Sequence, residues 1–254
     1  MLNAQQVDEA AGALMAVHKG KPIKPIPALS DALKPQSETD CYAIQDAVLK
    51  GLGETVGGWK VGFLEPGNVY CAPIYASKIH ASPAALPAAG FNVIGIECEI
   101  GFRVNQPLPY RSAPYSRTEV LASVTMHPTI EVVDSRYVDF RSLDRLHILA
   151  DNYSNGGLVF GAAASGWENA DLVHPPIEVT ADGKHFADCT GLRASDPISM
   201  LLALVNFVSK HRGGCPAGIF VTTGTHTGLI LTEPGVKIAA DYGPFGHVEV
   251  SFPR

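Results

Sequence analysis

Charge is scarce in this chain and is not clustered. Asp, Glu, Lys and Arg make up 17% of it, the formal net charge is -6, and no Lys/Arg run stands out. A nucleic-acid partner, which needs a basic face, is therefore not expected. The five cysteines (Cys41, Cys71, Cys98, Cys189 and Cys215) are odd in number, scattered, and contain no Cys-x-x-Cys pair. That pattern suits reduced thiols better than a disulfide framework or a zinc site. Long apolar runs are also missing: the longest, Ile198 to Val208, is interrupted by Ser199 and Asn206 and is too short for a bilayer. The opening Met1-Leu-Asn-Ala-Gln-Gln-Val-Asp8 has neither the basic nor the apolar region of a signal peptide. A soluble cytoplasmic protein without a membrane partner is the expectation. No Gly-x-Gly-x-x-Gly in a strand–helix setting, Walker loop, Gly-x-Ser-x-Gly elbow or His-Glu-x-x-His occurs, which disfavours nucleotide cofactors and serine hydrolysis.

Gly and Pro, in contrast, are plentiful, at 25 and 19 residues, and favour many short strands over a helical bundle. A chain of 254 residues can bury a substantial core as one large domain or two small ones. Val7, Ala10, Ala11, Leu14 and Val17 follow helical spacing between an Asn3 cap and a Gly20 stop. After a proline-rich connector from Pro22 to Pro35, Ser37-Glu-Thr-Asp40 opens a second helix, whose stripe of Cys41, Ile44, Val48 and Leu52 ends at Gly53. The texture then changes to alternation. Trp59, Val61 and Phe63 mark a strand, and others are expected at 94–104, 128–134, 157–161, 219–223, 236–240 and 247–252. Asp182-Gly183 between two short strands is a hairpin signal. Helices are expected at 142–151 and 196–211, the latter started by Ser195 and Asp196. The organisation is α+β: an N-terminal helical extension over 1–55 and a β-rich body over 56–254.

Within that body, Glu97 and Glu99 in Ile96-Glu-Cys-Glu-Ile-Gly-Phe102 project from one face of a strand, with Cys98 on the other. Adjacent carboxylates repel unless a cation lies between them. With Glu131 from Pro128-Thr-Ile-Glu-Val-Val-Asp-Ser-Arg136 they would form an all-oxygen site of the kind Mg²⁺ or Mn²⁺ prefers; the alternative is a solvated strand face. Lys60, between glycines in Gly57-Gly-Trp-Lys-Val-Gly62, reads as an anion-binding or proton-moving group, or as a lysine that snorkels to solvent. Asp151-Asn-Tyr-Ser-Asn-Gly-Gly157 reads as an anion cradle or a plain turn. Thr222-Thr-Gly-Thr-His-Thr-Gly228 could place His226 at a site or hold it structurally.

These five motifs, in their order along the chain and over nearly the whole of it, resemble the 2-keto-4-pentenoate hydratases and 4-oxalocrotonate decarboxylases of the fumarylacetoacetate hydrolase superfamily. The resemblance implies a mixed β-roll with a helical N-terminal extension, and Mg²⁺ or Mn²⁺ held by Glu97, Glu99 and Glu131. It makes Lys60 the active-site lysine and puts Ser154, Asn155, Thr225, His226 and Thr227 at the substrate. A glutamate as third ligand points to the hydratase and decarboxylase branches rather than to the hydrolases. The expected activity is hydration of a small 2-hydroxydienoate or 2-keto-enoate in aromatic-compound degradation, by a homo-oligomer (dimer or larger). The rivals are a 4-oxalocrotonate-type decarboxylase, an acylpyruvate carbon–carbon bond hydrolase and a non-catalytic keto-acid binder. A decarboxylase would need a further cation for the second carboxylate, for which Arg136 and Arg193 are candidates. Two departures bear on the substrate: residues 65–75 carry no equivalent of an acidic loop residue common in hydratases, and Asn155 stands where a second serine is common.

Overall fold

The computed structural model describes residues 1–62, 69–189 and 196–254; Phe63, Glu65 to Asn68, Arg193 and Ser195 lie outside the described residues. Helix α1 (Ala4–Lys19) starts with a capping box, in which the Asn3 side chain accepts from the Gln6 N–H and the Gln6 side chain returns to the Asn3 backbone. Helix α2 (Glu38–Leu52) is capped by Ser37 and ends at a left-handed Gly53. Ala10, Ala11 and Leu14 of α1 and Cys41, Ile44 and Val48 of α2 join Tyr70, Tyr75, Tyr137 and Leu149 in one apolar cluster, which seats the helices on the β-rich body. The remaining helices are α3 (Arg117–Leu121), α4 (Arg145–Ala150) and α5 (Pro197–His211).

The strands are β1 (Val56–Val61), β2 (Cys71–Tyr75), β3 (Ile79–Ala81), β4 (Ala84–Ala85), β5 (Gly95–Val104), β6 (Leu108–Pro109), β7 (Val124–Val133) and β8 (Asn155–Phe160), followed by β9 (Glu178–Ala181), β10 (Lys184–Asp188), β11 (Gly214–Cys215), β12 (Phe220–Thr225), β13 (Ile230–Leu231), β14 (Lys237–Asp241) and β15 (His247–Ser251). The main sheet runs β2-β1-β12-β5-β7-β8-β3, with β13 added to β5. It is mixed: β1 pairs parallel with β12 and β3 with β8, while the other pairs are antiparallel. The sheet curls, and the Asn152 side chain just before β8 donates to the Pro73 carbonyl of β2 at 2.8 Å. A second sheet, β10-β9-β14-β15-β4, lies against it. The architecture is the expected α+β roll.

Alternation on β5 sorts the residues into two faces. Ile96, Cys98, Ile100, Phe102 and Val104 join the main core with Val248 and Val250 of the second sheet and Leu201, Leu204 and Val208 of α5. Cys98 is fully buried there, as its phase predicts, and all five cysteines are free. The other face carries Glu97 and Glu99. Ile74, Leu158 and Phe220 form a separate small apolar cluster, to which Phe160 adds.

Several boundaries differ from the sequence reading. The strand expected at 128–134 begins at Val124, and the helix expected at 142–151 begins at Arg145, because Asp144 caps the Leu146 and His147 N–H groups. The Asp182-Gly183 hairpin is present, with both residues at positive φ. No helix among the described residues is long and apolar enough to cross a membrane.

Candidate active site

Register brings the carboxylates together. In the β5–β7 ladder Glu97 is directly opposite Glu131, and Glu99 is opposite Thr129. Oxygens of the three glutamates lie within 4.8 Å of one another. Glu99 is 2% exposed and Glu131 fully buried, so water does little to screen their repulsion. Lys60 arrives from β1, where it is opposite Thr222 of β12, and forms a buried ion pair with Glu131 Oε1. The same oxygen accepts from Asn155 Nδ2 at 3.0 Å. Glu131 Oε2, also buried, finds no donor among the described residues.

Two irregularities complete the site. The β12 register shifts between Thr222 and Thr225. Gly224, at φ +98, directs its N–H to Glu99 Oε2 at 2.8 Å. Asn152, Tyr153 and Ser154, none of them glycine, are all left-handed, at φ 52, 51 and 56. That conformation costs about 1–2 kcal/mol per residue. It puts the Tyr153 carbonyl 2.9 Å from Lys60 Nζ, and the ammonium 5.1 Å from the centre of the Tyr153 ring. Gly62 makes room for that ring, since a Cβ there would lie 2.6 Å from its tip.

The charges respond to this crowding. Burial, reinforced by Glu131 and Glu97, pushes the Glu99 carboxyl well above its usual range, against Lys60 and the Gly224 N–H. Burial would lower Lys60, but Glu131, Glu97 and Glu99 outweigh it and hold the ammonium above the ordinary lysine value. Lys60 bears on all three carboxylates, and the buried Glu131 Oε2 lacks a donor among the described residues. This all-oxygen set fits a hard divalent cation such as Mg²⁺ or Mn²⁺. The cluster opens to a cavity of about 140 Å³, lined by Lys60, Val61, Gly62, Glu97, Glu99, Tyr153, Met200, Thr223, Gly224 and Thr225.

Of the residues singled out in the sequence, Lys60, Glu97, Glu99, Glu131, Asn155 and Thr225 come together: Lys60, Glu97, Glu99 and Thr225 line the cavity, while Glu131 joins them through the other carboxylates and Lys60, and Asn155 through Glu131. Ser154, His226 and Thr227 do not line the cavity. The Ser154 hydroxyl is buried with no partner among the described residues. His226 Nε2 lies 3.0 Å from the Leu172 carbonyl, and the Thr227 hydroxyl donates to the Gly228 carbonyl and accepts from the Cys98 N–H. Arg136 is buried against Asp151 and is not on the wall either. Tyr153, Met200, Thr223 and Gly224 escaped the sequence reading. Tyr153 and Gly224 lie inside motifs that were noticed, but they act through main-chain atoms and backbone geometry that residue type does not reveal.

No family model matches the chain. A curated relative, 4-oxalocrotonate decarboxylase from Pseudomonas putida, is 28% identical over 188 residues, covering 73% of this chain and 64% of the relative. The match thus spans less than two thirds of that relative's length. Among solved structures, 4-oxalocrotonate decarboxylase from Pseudomonas putida G7, complexed with magnesium and adipate, superposes with a TM-score of 0.84 at 23% identity over 99% of both chains. The 2-hydroxyhepta-2,4-diene-1,7-dioate isomerase from Mycobacterium marinum follows with a TM-score of 0.56 at 16% identity, covering 77% of this chain and 73% of the other. Both structural matches show a shared fold.

Proposed function

From its standing as a homologue of the 4-oxalocrotonate decarboxylases within the fumarylacetoacetate hydrolase superfamily, we propose that this chain is a divalent-metal-dependent lyase for a small 2-keto acid, decarboxylating a 4-oxalocrotonate-type substrate. The observation that carries the reading is the Glu97–Glu99–Glu131 cluster, half-buried at Glu97 and buried at the other two, with Lys60 paired to Glu131 and Lys60, Glu97 and Glu99 lining one cavity. Those glutamates would hold Mg²⁺ or Mn²⁺, which supplies Lewis-acid charge to polarise a 2-keto group. Lys60 donates to Glu131 and to the Tyr153 carbonyl, which leaves one of its three N–H groups for a ligand carboxylate or for proton delivery to carbon. Its raised pKa makes it an acid and electrostatic anchor at neutral pH, not a base. The Gly224 N–H fixes Glu99, and Asn155 fixes Glu131. Val61 and Met200 add apolar wall that limits water.

A second reading, hydration of a 2-hydroxydienoate, draws on one feature: Lys60 is the one cation lining the cavity among the described residues, whereas a dicarboxylate calls for another. Arg136 does not meet that need, being ion-paired with Asp151. The metal-loaded protein is to be given 4-oxalocrotonate and 2-hydroxypenta-2,4-dienoate in turn, with and without EDTA. EDTA-sensitive CO₂ release from the first is the expected result. Conversion of the dienoate alone, to 4-hydroxy-2-oxopentanoate, would establish the hydratase instead. Turnover of neither would overturn both.

A further inference from the structure

The left-handed turn at Asn152–Ser154 needs something to hold it, and one side chain reaches both of its flanks. Arg136 follows β7, the strand that carries Glu131, and is 2% exposed. Its Nε donates to Asp151 Oδ1, its Nη2 to the Asp151 carbonyl at 2.8 Å, and its Nη1 to the Asn155 carbonyl at 3.1 Å. The remaining Asp151 oxygen accepts from the Arg136 backbone N–H at 3.0 Å and the Ser135 hydroxyl at 2.9 Å. The planar fork therefore bridges the residues immediately before and after the three left-handed ones. Two atoms of the bridged segment reach the reactive pair: the Tyr153 carbonyl accepts from Lys60, and the Asn155 amide donates to Glu131 Oε1. With Lys60 and Asn155 both on Oε1, Oε2 is the oxygen left over for a cation.

We propose that Arg136 is a positioning residue: by bridging Asp151 and Asn155 it sets the strained turn, and through Tyr153 and Asn155 it decides how Lys60 and Glu131 face the metal position. The inference rests on the metal-dependent reading above. A lysine at 136 keeps the charge for Asp151 but lacks the fork needed to reach both flanks. Outer-shell partners of metal ligands typically govern about 10–100-fold of affinity.

The test is a calorimetric Mn²⁺ titration of the metal-stripped protein, with a melting curve for each variant. Asn155→Ala should weaken Mn²⁺ about 10–100-fold while the metal-free Tm moves by no more than about 2 °C, a combination that a purely structural role would not give. Arg136→Lys should weaken Mn²⁺ at least about 10-fold, even where the protein remains folded. Should Arg136→Lys fail to fold, Asp151→Asn, which weakens the same fork from its other side, takes its place: a loss of Mn²⁺ affinity of about 10-fold is expected, and wild-type affinity would overturn the inference. Wild-type affinity in Asn155→Ala, or in a folded Arg136→Lys, would overturn the inference and leave the metal reading intact. A wild-type protein that takes up no Mn²⁺ would overturn the metal reading and this inference with it.

Discussion

Glu99 is held in the fold against its electrostatic preference. It is buried, faces two other carboxylates, and is compensated among the described residues by Lys60 and the Gly224 N–H. Without metal, its carboxyl titrates well above the ordinary value of 4.5. Across that interval the folded protein retains a proton that the unfolded chain has released. Stability of the metal-free protein must therefore fall as pH rises from 4.5 through the raised value. Glu99→Gln should flatten this slope in urea unfolding with EDTA between pH 5 and 8, and raise the metal-free Tm by about 2–4 °C per kcal/mol of repulsion relieved. It should also abolish Mn²⁺ uptake. An unchanged slope would mean that Glu99 is ionised in the folded protein. Glu97 and Glu99 were legible in the sequence because strand geometry has period two, so residue types two apart share a face. Their meeting with Glu131 was expected from the motifs' resemblance and not from strand geometry, because cross-strand register is a long-range property. His226 shows the opposite limit: a histidine in a promising loop is turned by that loop toward the Leu172 carbonyl.

Elements with a strong local signature were read directly, and their failure should be equally local. In the hairpin between β9 and β10, Gly183 sits at φ +75 with open space around its Cα. Gly183→Ala should cost about 1–2 kcal/mol through backbone strain alone. Mn²⁺ affinity should stay at the wild-type value, and a change in it would link that hairpin to the site. Strand β2 was invisible for the converse reason: Cys71 to Tyr75 is buried on both faces and carries Pro73, so neither alternation nor propensity announces it. Its role is tertiary, as partner to β1 and acceptor for the Asn152 side chain. Helix α3 was missed although Ser116 and Glu119 form a capping box, because its five residues are too few to show an apolar period.

At the scale of the whole molecule, the two sheets leave almost no slack where they meet. The buried Tyr242 hydroxyl, between the last two strands, donates to the Thr129 carbonyl at 2.6 Å, opposite Glu99 in the β5–β7 ladder. Nearby, Gly161 allows β8 to pass the second sheet: a Cβ there would lie 2.4 Å from the His247 carbonyl oxygen and 2.8 Å from Pro128. Gly161→Ala should destabilise the protein by about 1–3 kcal/mol or more in denaturant unfolding, since a main-chain atom cannot give way as a side chain does. A loss below about 0.5 kcal/mol would show that the sheets can slide. The contacts on the reactive groups differ in kind. Glu99 is fixed by the main-chain N–H of Gly224, and Lys60 is steadied by the main-chain carbonyl of Tyr153. Such contacts do not depend on the genetic code at the contacting position in the way a side chain does. Over generations, the Tyr153 ring could drift with the ligand's shape while its carbonyl still met Lys60, so the chemistry could be inherited by enzymes that choose different acids.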